Sequence, residues 1–533
     1  MRLRMLMTVV AAVVLCLAGA PAGAQQGNNL RFANSGDFLS MDQHFSGDAF
    51  AVGILLDVNE PLVVRNTEGR LEPALATEWE RASPTVWRFK LRANVRFHEG
   101  QPLTADDVVF TLERARHENS TYRPYLSHIT AVRAIDAQTV EVTTAYPDPI
   151  LLDKLRTVGV FSRAWAQAHQ ALTPASRAAS SENYATRHAN GTGPFMLREW
   201  EPGVRATFVA NPNWWGTPRH NLAQATFTRI ANDATRTAAL LVGDIDFSYV
   251  VPTQDIQRLQ STQGVRLESV PEIRVIYLYM DMWRDALVGS NVTDRNPFKD
   301  VRVRRAVYQA IDAEAVNTRI MRGQSRLSGS LFARGITGYR ETYDQRAAPF
   351  DRTAAQRLLQ EAGYPNGFEV TMDCPNDRYL NDAATCEAVV GMLARIGIRV
   401  NLRAQTRARW FAQILGPAYN TSFGLTGWAP IFTYDVHNVA ANLLHGRKAD
   451  QSAGFFNFNG QTIPRLDELI DGIEAELDPA RRQQMVDEIQ RIHNEQFLTV
   501  PLYELNIIWA MRANVTAPMS PDNFFQLRYV RMN

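Results

Sequence analysis

Along WRFKLRANVRF, from Trp87 to Phe97, aromatic or aliphatic residues alternate with basic ones, the period-2 pattern of strands with one solvated face. The next segment, TADDVVFTLERARH, changes period. Thr104 is placed to cap a helix, and Val108, Leu112 and Ala115 fall on one stripe of it. Farther on, VRVRRAVYQAIDAEAVN and DRTAAQRLLQEAGYPNG read as helices, the second capped by Asp351 and stopped at Gly363 and Pro365. FEVTMD is a strand. From Cys386 the apolar positions Val389, Val390 and Leu393 repeat at helical spacing, which puts Cys386 on a buried face, and IRVNL resumes as a strand. The unit is strand, loop, helix, strand, and its loop leaves the carboxyl end of a strand, where open α/β sheets place their ligands.

The N-terminus alters how the rest is read. MRLRMLMTVVAAVVLCLAGAPAGAQQ opens with Arg2 and Arg4, runs apolar from about Met5 to Ala20 and ends in Ala22, Gly23 and Ala24, so residues 1–24 are read as a secretory signal peptide. The apolar run falls short of the roughly 20 residues that span a bilayer. Leu15 before Cys16 is too bulky for a lipoprotein signal. The mature chain is expected in the periplasm. Lys and Arg number 56 against 55 Asp and Glu, and loss of Arg2 and Arg4 leaves a net charge of −1, a balance that gives nucleic acid or an anionic membrane no support as partner. With 45% apolar residues in 533 positions, the chain should divide into two or more domains.

In an oxidising compartment the two remaining cysteines, Cys374 and Cys386, are read as a disulfide. A metal site would want further thiolate or imidazole ligands nearby, and a redox site would prefer C-x-x-C. The bond would tether the loop carrying Asn376, Asp377 and Arg378 to the first turn of the helix behind it.

Five stretches, in order, carry a resemblance: LEPALATEWERASPTVWRFKLRANVRFHEGQPLTADDVVFTLER, NGTGPFML, NPNWWG, NPFKDVRVRRAVYQAID and LLQEAGYPNGFEV. Together they resemble family 5 solute-binding proteins of ABC importers, the dipeptide- and oligopeptide-binding group, over nearly the whole mature chain. Asn59 departs from the family's frequent Tyr before EPL. The resemblance implies an α/β fold of two lobes joined by hinge crossovers, with an additional accessory α/β domain. Lobe I is assigned to 25–69, 193–282 and 500–533, the accessory domain to 70–192, and lobe II to 283–499. It further implies a monomer that captures a peptide or other small-molecule ligand and hands it to membrane permease subunits, with no cofactor and no chemistry of its own.

Within that frame the candidate ligand-binding residues are Arg378, Asn376, Trp428, Phe432, Tyr434 and Asp435. Arg378 offers a planar fork to a carboxylate. In peptide-binding relatives a segment beginning with Trp carries, three positions later, a carboxylate for the ligand's α-amino group; the similar stretch here is GWAPIFTYDVHN, and that position holds Ile431. Ile431 keeps opines, oligosaccharides and metal chelates open as alternatives to peptides. Asp435 matches the Asp of the family's DPDN, with capping of a turn or helix as its plain structural role. Trp428, Phe432 and Tyr434 would wall the cleft or serve as core aromatics. His437 and His445, eight apart, are read as core or surface residues, so no metal is expected. Gly191 and Gly193 suit a crossover turn. A secreted hydrolase is the rival class, but GTGPF lacks the third glycine of a dinucleotide loop, HEGQP fails H-E-x-x-H, and no G-x-S-x-G occurs.

Overall fold

The computed structural model describes residues 28–45, 47–176, 181–416 and 419–533, so the leader read over 1–24 lies outside the described residues. One eleven-stranded mixed sheet runs through the molecule. Its middle is an antiparallel pair of long strands, Val265–Met280 and Thr499–Arg512. On one side the sheet continues through Phe423–Trp428, Glu369–Pro375 and Arg399–Gln405. On the other it continues through Phe247–Ser248, Asn28–Asn34, Leu222–Arg229, Arg205–Ala210 and Phe195–Glu201, and off this path Ser325–Leu327 pairs with Thr499–Arg512.

Each long strand serves two cores. Ile276, Leu278 and Met280 pack with Val500, Leu502 and Leu505 beneath Val370 and Leu393. Ile507, Trp509 and Met511 instead pack with Phe32, Phe208 and Phe227. The exchange coincides with a break in the ladder between Pro271 and Val275, where Pro271 has no N–H to give. In that break Arg274 Nε donates to Glu272 at 3.0 Å.

The alternation at Val86–Leu91 folds as expected: Trp87, Phe89 and Leu91 face inward from a four-stranded antiparallel sheet. Helix Ala105–Ala115 packs on it, begun by Thr104, whose N–H reaches the Asp107 carboxylate at 2.9 Å. The helix read through 301–317 is shorter than the pattern suggests. It runs from Val301 to Ala310, breaks at Ile311, and a new turn is capped by Asp312, whose carboxylate accepts from Ala315 N–H at 2.9 Å. That is the competition of a short acidic side chain with the helical backbone. Gly191 and Gly193 are required for a reason of space: a Cβ on Gly191 would lie 1.9 Å from the Val58 carbonyl oxygen, and one on Gly193 2.1 Å from that of Asp57.

Burial keeps His44 and His493 neutral, and half-buried His98 likewise. His44 sits against Tyr122 and Phe161 with neither ring nitrogen hydrogen-bonded, and burial, helped by Arg114, lowers its pKa to about 3. His98 accepts from Gly191 N–H and faces the Gly193 carbonyl; burial lowers its pKa to about 4. His493 is likewise lowered to about 4 by burial. Unfolded, each would titrate near 6.5. The unfolded chain therefore binds more protons below that pH, so the stability held by neutral burial is complete above about pH 6.5 and is lost as pH falls toward 4. Denaturant midpoints measured from pH 7 to 4 should fall steadily; a level profile would contradict this.

Candidate ligand pocket

The strand, loop, helix, strand unit is present as read. Glu369–Pro375 runs parallel to Arg399–Gln405 and to Phe423–Trp428, and helix Asp382–Ala394 connects the first two. Cys374, at the end of the first strand, is bonded to Cys386 in the helix, and both are fully buried. Between them the loop is fixed at three further points. The Asp382 carboxylate accepts the backbone N–H of Arg378 and of Tyr379, each at 3.0 Å. The Asp377 carboxylate accepts Arg407 N–H at 2.5 Å. The Tyr379 hydroxyl accepts Gly427 N–H at 3.0 Å and lies 3.2 Å from the Gly427 carbonyl, which joins the loop to the neighbouring strand.

Beside this loop lies a pocket of about 390 Å³, lined by Tyr277, Arg378, Phe411, Leu415, Thr426, Gly427, Trp428, Phe456 and Phe458. Arg378 supplies its only cation among the described residues. The Arg378 Nε donates to the Tyr379 hydroxyl at 2.6 Å, and the guanidinium lies over Phe411, 4.4 Å from the ring centre. Its terminal nitrogens have no partner among the described residues, and the side chain pairs with no carboxylate. Trp428 ends its strand with Nε1 donating to Asn438 at 2.9 Å and its ring 4.7 Å from Phe456. Burial holds the Tyr277 phenol protonated, well above its ordinary range. The pocket thus combines two donors suited to an anion with aromatic and aliphatic walls.

The other candidate residues lie elsewhere. Asn376 is exposed at the end of its strand, outside the pocket lining. Phe432 packs against Tyr122 and Tyr125 of the four-stranded sheet's domain, at 5.4 and 5.2 Å. Tyr434 is buried, adopts left-handed backbone at φ +53°, and stands between the guanidinium groups of Arg65 and Arg156. Asp435 is fully buried: its carboxylate caps helix Val436–Leu443 by accepting His437 N–H and pairs with Arg482, both at 2.7 Å. The Ile431 carbonyl accepts from Arg156 at 2.5 Å. This segment is held from the far side of the molecule, as is Glu474, which accepts from the Tyr146 hydroxyl at 2.7 Å. His437 faces Glu474 and His445 faces Asp467 and Asp471; among the described residues no group of three potential metal ligands forms.

Sequence reasoning missed Phe411, Leu415, Phe456, Phe458, Tyr277 and the pivot Tyr379. Phe411 and Leu415 stand four apart at the end of a helix, and Phe456 and Phe458 two apart in GFFNFNG, spacings that mark a shared face without saying what it meets.

The family described as bacterial extracellular solute-binding proteins, family 5, matches residues 70–451. The periplasmic oligopeptide-binding protein OppA of Salmonella typhimurium is 23% identical over 93% of this chain and 91% of its own. Among solved structures, DppA of Helicobacter pylori in complex with the peptide STSA superposes with a TM-score of 0.75 at 22% identity, covering 95% of this chain and 98% of that one. AgaA of A. tumefaciens R10, in complex with agropinic acid, gives 0.76 at 22% identity over 95% and 99%.

The tether can be tested directly. Replacing both Cys374 and Cys386 by Ala should lower stability by roughly 3 kcal/mol in the chain-entropy model, read as a lower denaturant midpoint. The unreduced, denatured exported wild type should show no reactive thiol. Two labelled thiols, or an unchanged midpoint, would remove the staple.

Proposed function

The chain belongs to the family 5 bacterial extracellular solute-binding proteins, and from that premise we propose that it captures di- or oligopeptides in the periplasm. It delivers them as a monomer to the permease subunits of an ABC importer. The family is a substrate-binding component of transport, and this chain acts without chemistry of its own. No helix of the described residues is long and apolar enough to cross a membrane. The observation that carries the reading is the unpaired Arg378 guanidinium at the rim of an aromatic pocket, held by a loop with four fixed points. Arg378 takes the ligand's carboxylate through its terminal nitrogens, and Trp428 packs against the ligand's body.

We propose further that the lobes comprise 25–69, 193–282 and 500–533 on one side and 283–499 on the other, with 70–192 as the accessory domain and boundaries set by the crossovers. The hinge itself lies inside the long strands, at the Pro271–Val275 break. A second reading, an opine or other small carboxylate in place of a peptide, is favoured by the absence of any acid from the pocket lining.

Arg378→Ala should weaken binding of a carboxylate ligand by roughly 2 to 5 kcal/mol, the range for truncating one partner of a buried charge pair. Arg378→Lys should recover only part, because it loses the fork. Calorimetric titration of the three proteins with ligand recovered by native mass spectrometry checks this, and equal affinities would take Arg378 out of the site. Closure has its own signature: small-angle scattering should show the radius of gyration fall when that ligand is added, whereas a constant radius would mean a scaffold that does not hinge.

A further inference from the structure

Resting on the reading of this pocket as the ligand site, we propose that it selects an acid whose only charge is its carboxylate. The ligand's body is aromatic or aliphatic and its amine is acylated or absent. The argument begins with the charges. The lining contains one cation and no acid. Each acid near the loop is already committed: Asp382 to two backbone N–H groups, Asp377 to Arg407 N–H, and Asp373 to Arg403 and the Thr421 hydroxyl, both at 2.6 Å. An ammonium entering the pocket would lose its hydration, meet no counter-ion, and share the space with Arg378. Burying an unpaired charge is among the costliest things a site can be asked to do.

The backbone offers an ammonium little more. The Gly427 carbonyl faces the Tyr379 hydroxyl at 3.2 Å, and the Ile431 carbonyl is taken by Arg156. A carboxylate has the opposite reception. The Arg378 terminal nitrogens are unpaired among the described residues, while Nε is held on Tyr379 and the plane rests on Phe411, so the fork is already oriented. Tyr277, kept protonated by burial, has a hydroxyl with no hydrogen-bond partner among the described residues and supplies a further donor. The remaining walls, Phe411, Leu415, Trp428, Phe456 and Phe458, reward a large apolar body. About 390 Å³ lies within the usual range for small-molecule sites, near its lower end. An amino-blocked dipeptide with an aromatic or branched aliphatic side chain meets all of these conditions.

The test uses protein stripped of carried ligand by unfolding and refolding, with N-acetyl-Leu-Phe, Leu-Phe and N-acetyl-Leu-Phe amide as probes in calorimetric titrations. The expected order puts the acetylated acid at least tenfold tighter than free Leu-Phe and at least tenfold tighter than its amide. In Arg378→Ala the acid should fall to the level of the amide, and Arg378→Lys, which keeps the charge, serves if the alanine variant does not fold. Leu-Phe binding as tightly as its acetylated form would overturn the proposal while leaving peptide capture standing. An acetylated acid that binds the wild type and both variants equally would overturn the pocket as the site, and the proposal with it. Binding by none of the three would overturn both the proposal and peptide capture.

Discussion

Everything in the molecule is referred to two strands, Val265–Met280 and Thr499–Arg512, lying antiparallel through both cores. A chain that must pass between lobes twice could do so in loops. Here it passes in hydrogen-bonded strands whose pairing shifts twice, between Pro271 and Val275 and again between Ile276 and Tyr277. The longer break leaves the segment from Glu272 to Arg274 out of the ladder. It also leaves Glu272 and Arg274, both poorly exposed, to neutralise each other where the ladder is missing. The pocket depends on where the ladder resumes. Val275 pairs with Glu504 on one side and with Trp428 on the other, and Tyr277 of the lining is two residues along. The pocket wall at Tyr277 is thus tied to the break through Val275, Ile276 and a second register shift.

The second constraint is electrostatic and comes from the accessory domain. Arg156 pairs with Asp522, donates to the Ile431 carbonyl, and lies over the rings of Tyr434 and Phe524. One guanidinium thus joins three parts of the chain that are far apart in sequence. Lys154 and Tyr146 meet Glu474 close by, and Phe432 inserts between Tyr122 and Tyr125. These contacts account for the character of the segment after Trp428. Its aromatic and acidic residues hold the two sides together, whereas the pocket takes its walls from helix Arg407–Ile414 and from the chain around Phe456.

That division explains what the sequence could and could not disclose. Strand and helix periods are local, so the strand, loop, helix, strand unit, the Asp351 cap and the buried face carrying Cys386 were all legible. Compartment and thiol count were enough for the disulfide. The helix read through 301–317 failed at Ile311 because Asp312 begins a new turn, a side-chain effect that periodicity does not register. Two residues of the pocket lining were named from the sequence, Arg378 from its place at a strand's carboxyl end and Trp428 from a motif. Phe411, Leu415, Phe456 and Phe458 were invisible as a group because they come from two segments that only the tertiary fold brings together. Tyr434 and Asp435 meet Arg65, Arg156 and Arg482, partners distant in sequence that no local pattern names.

The loop geometry also bears on how affinity is divided. A flexible loop that orders on a ligand spends part of its contact energy on that ordering, roughly 0.5 to 1.5 kcal/mol for each immobilised long side chain. Here the disulfide, Asp382, Asp377 and Tyr379 hold the backbone, and Tyr379 with Phe411 holds the guanidinium, before any ligand arrives. On the proposed reading, the carboxylate contact then costs little to form and is much the same for every acid that reaches it. Discrimination between ligands falls to the apolar walls, where the match of shape and the lack of any acid decide which bodies can follow the carboxylate in. On the proposed reading, a rigid anchor beside an uncharged wall recognises a class of acids by one shared group and ranks its members by what remains.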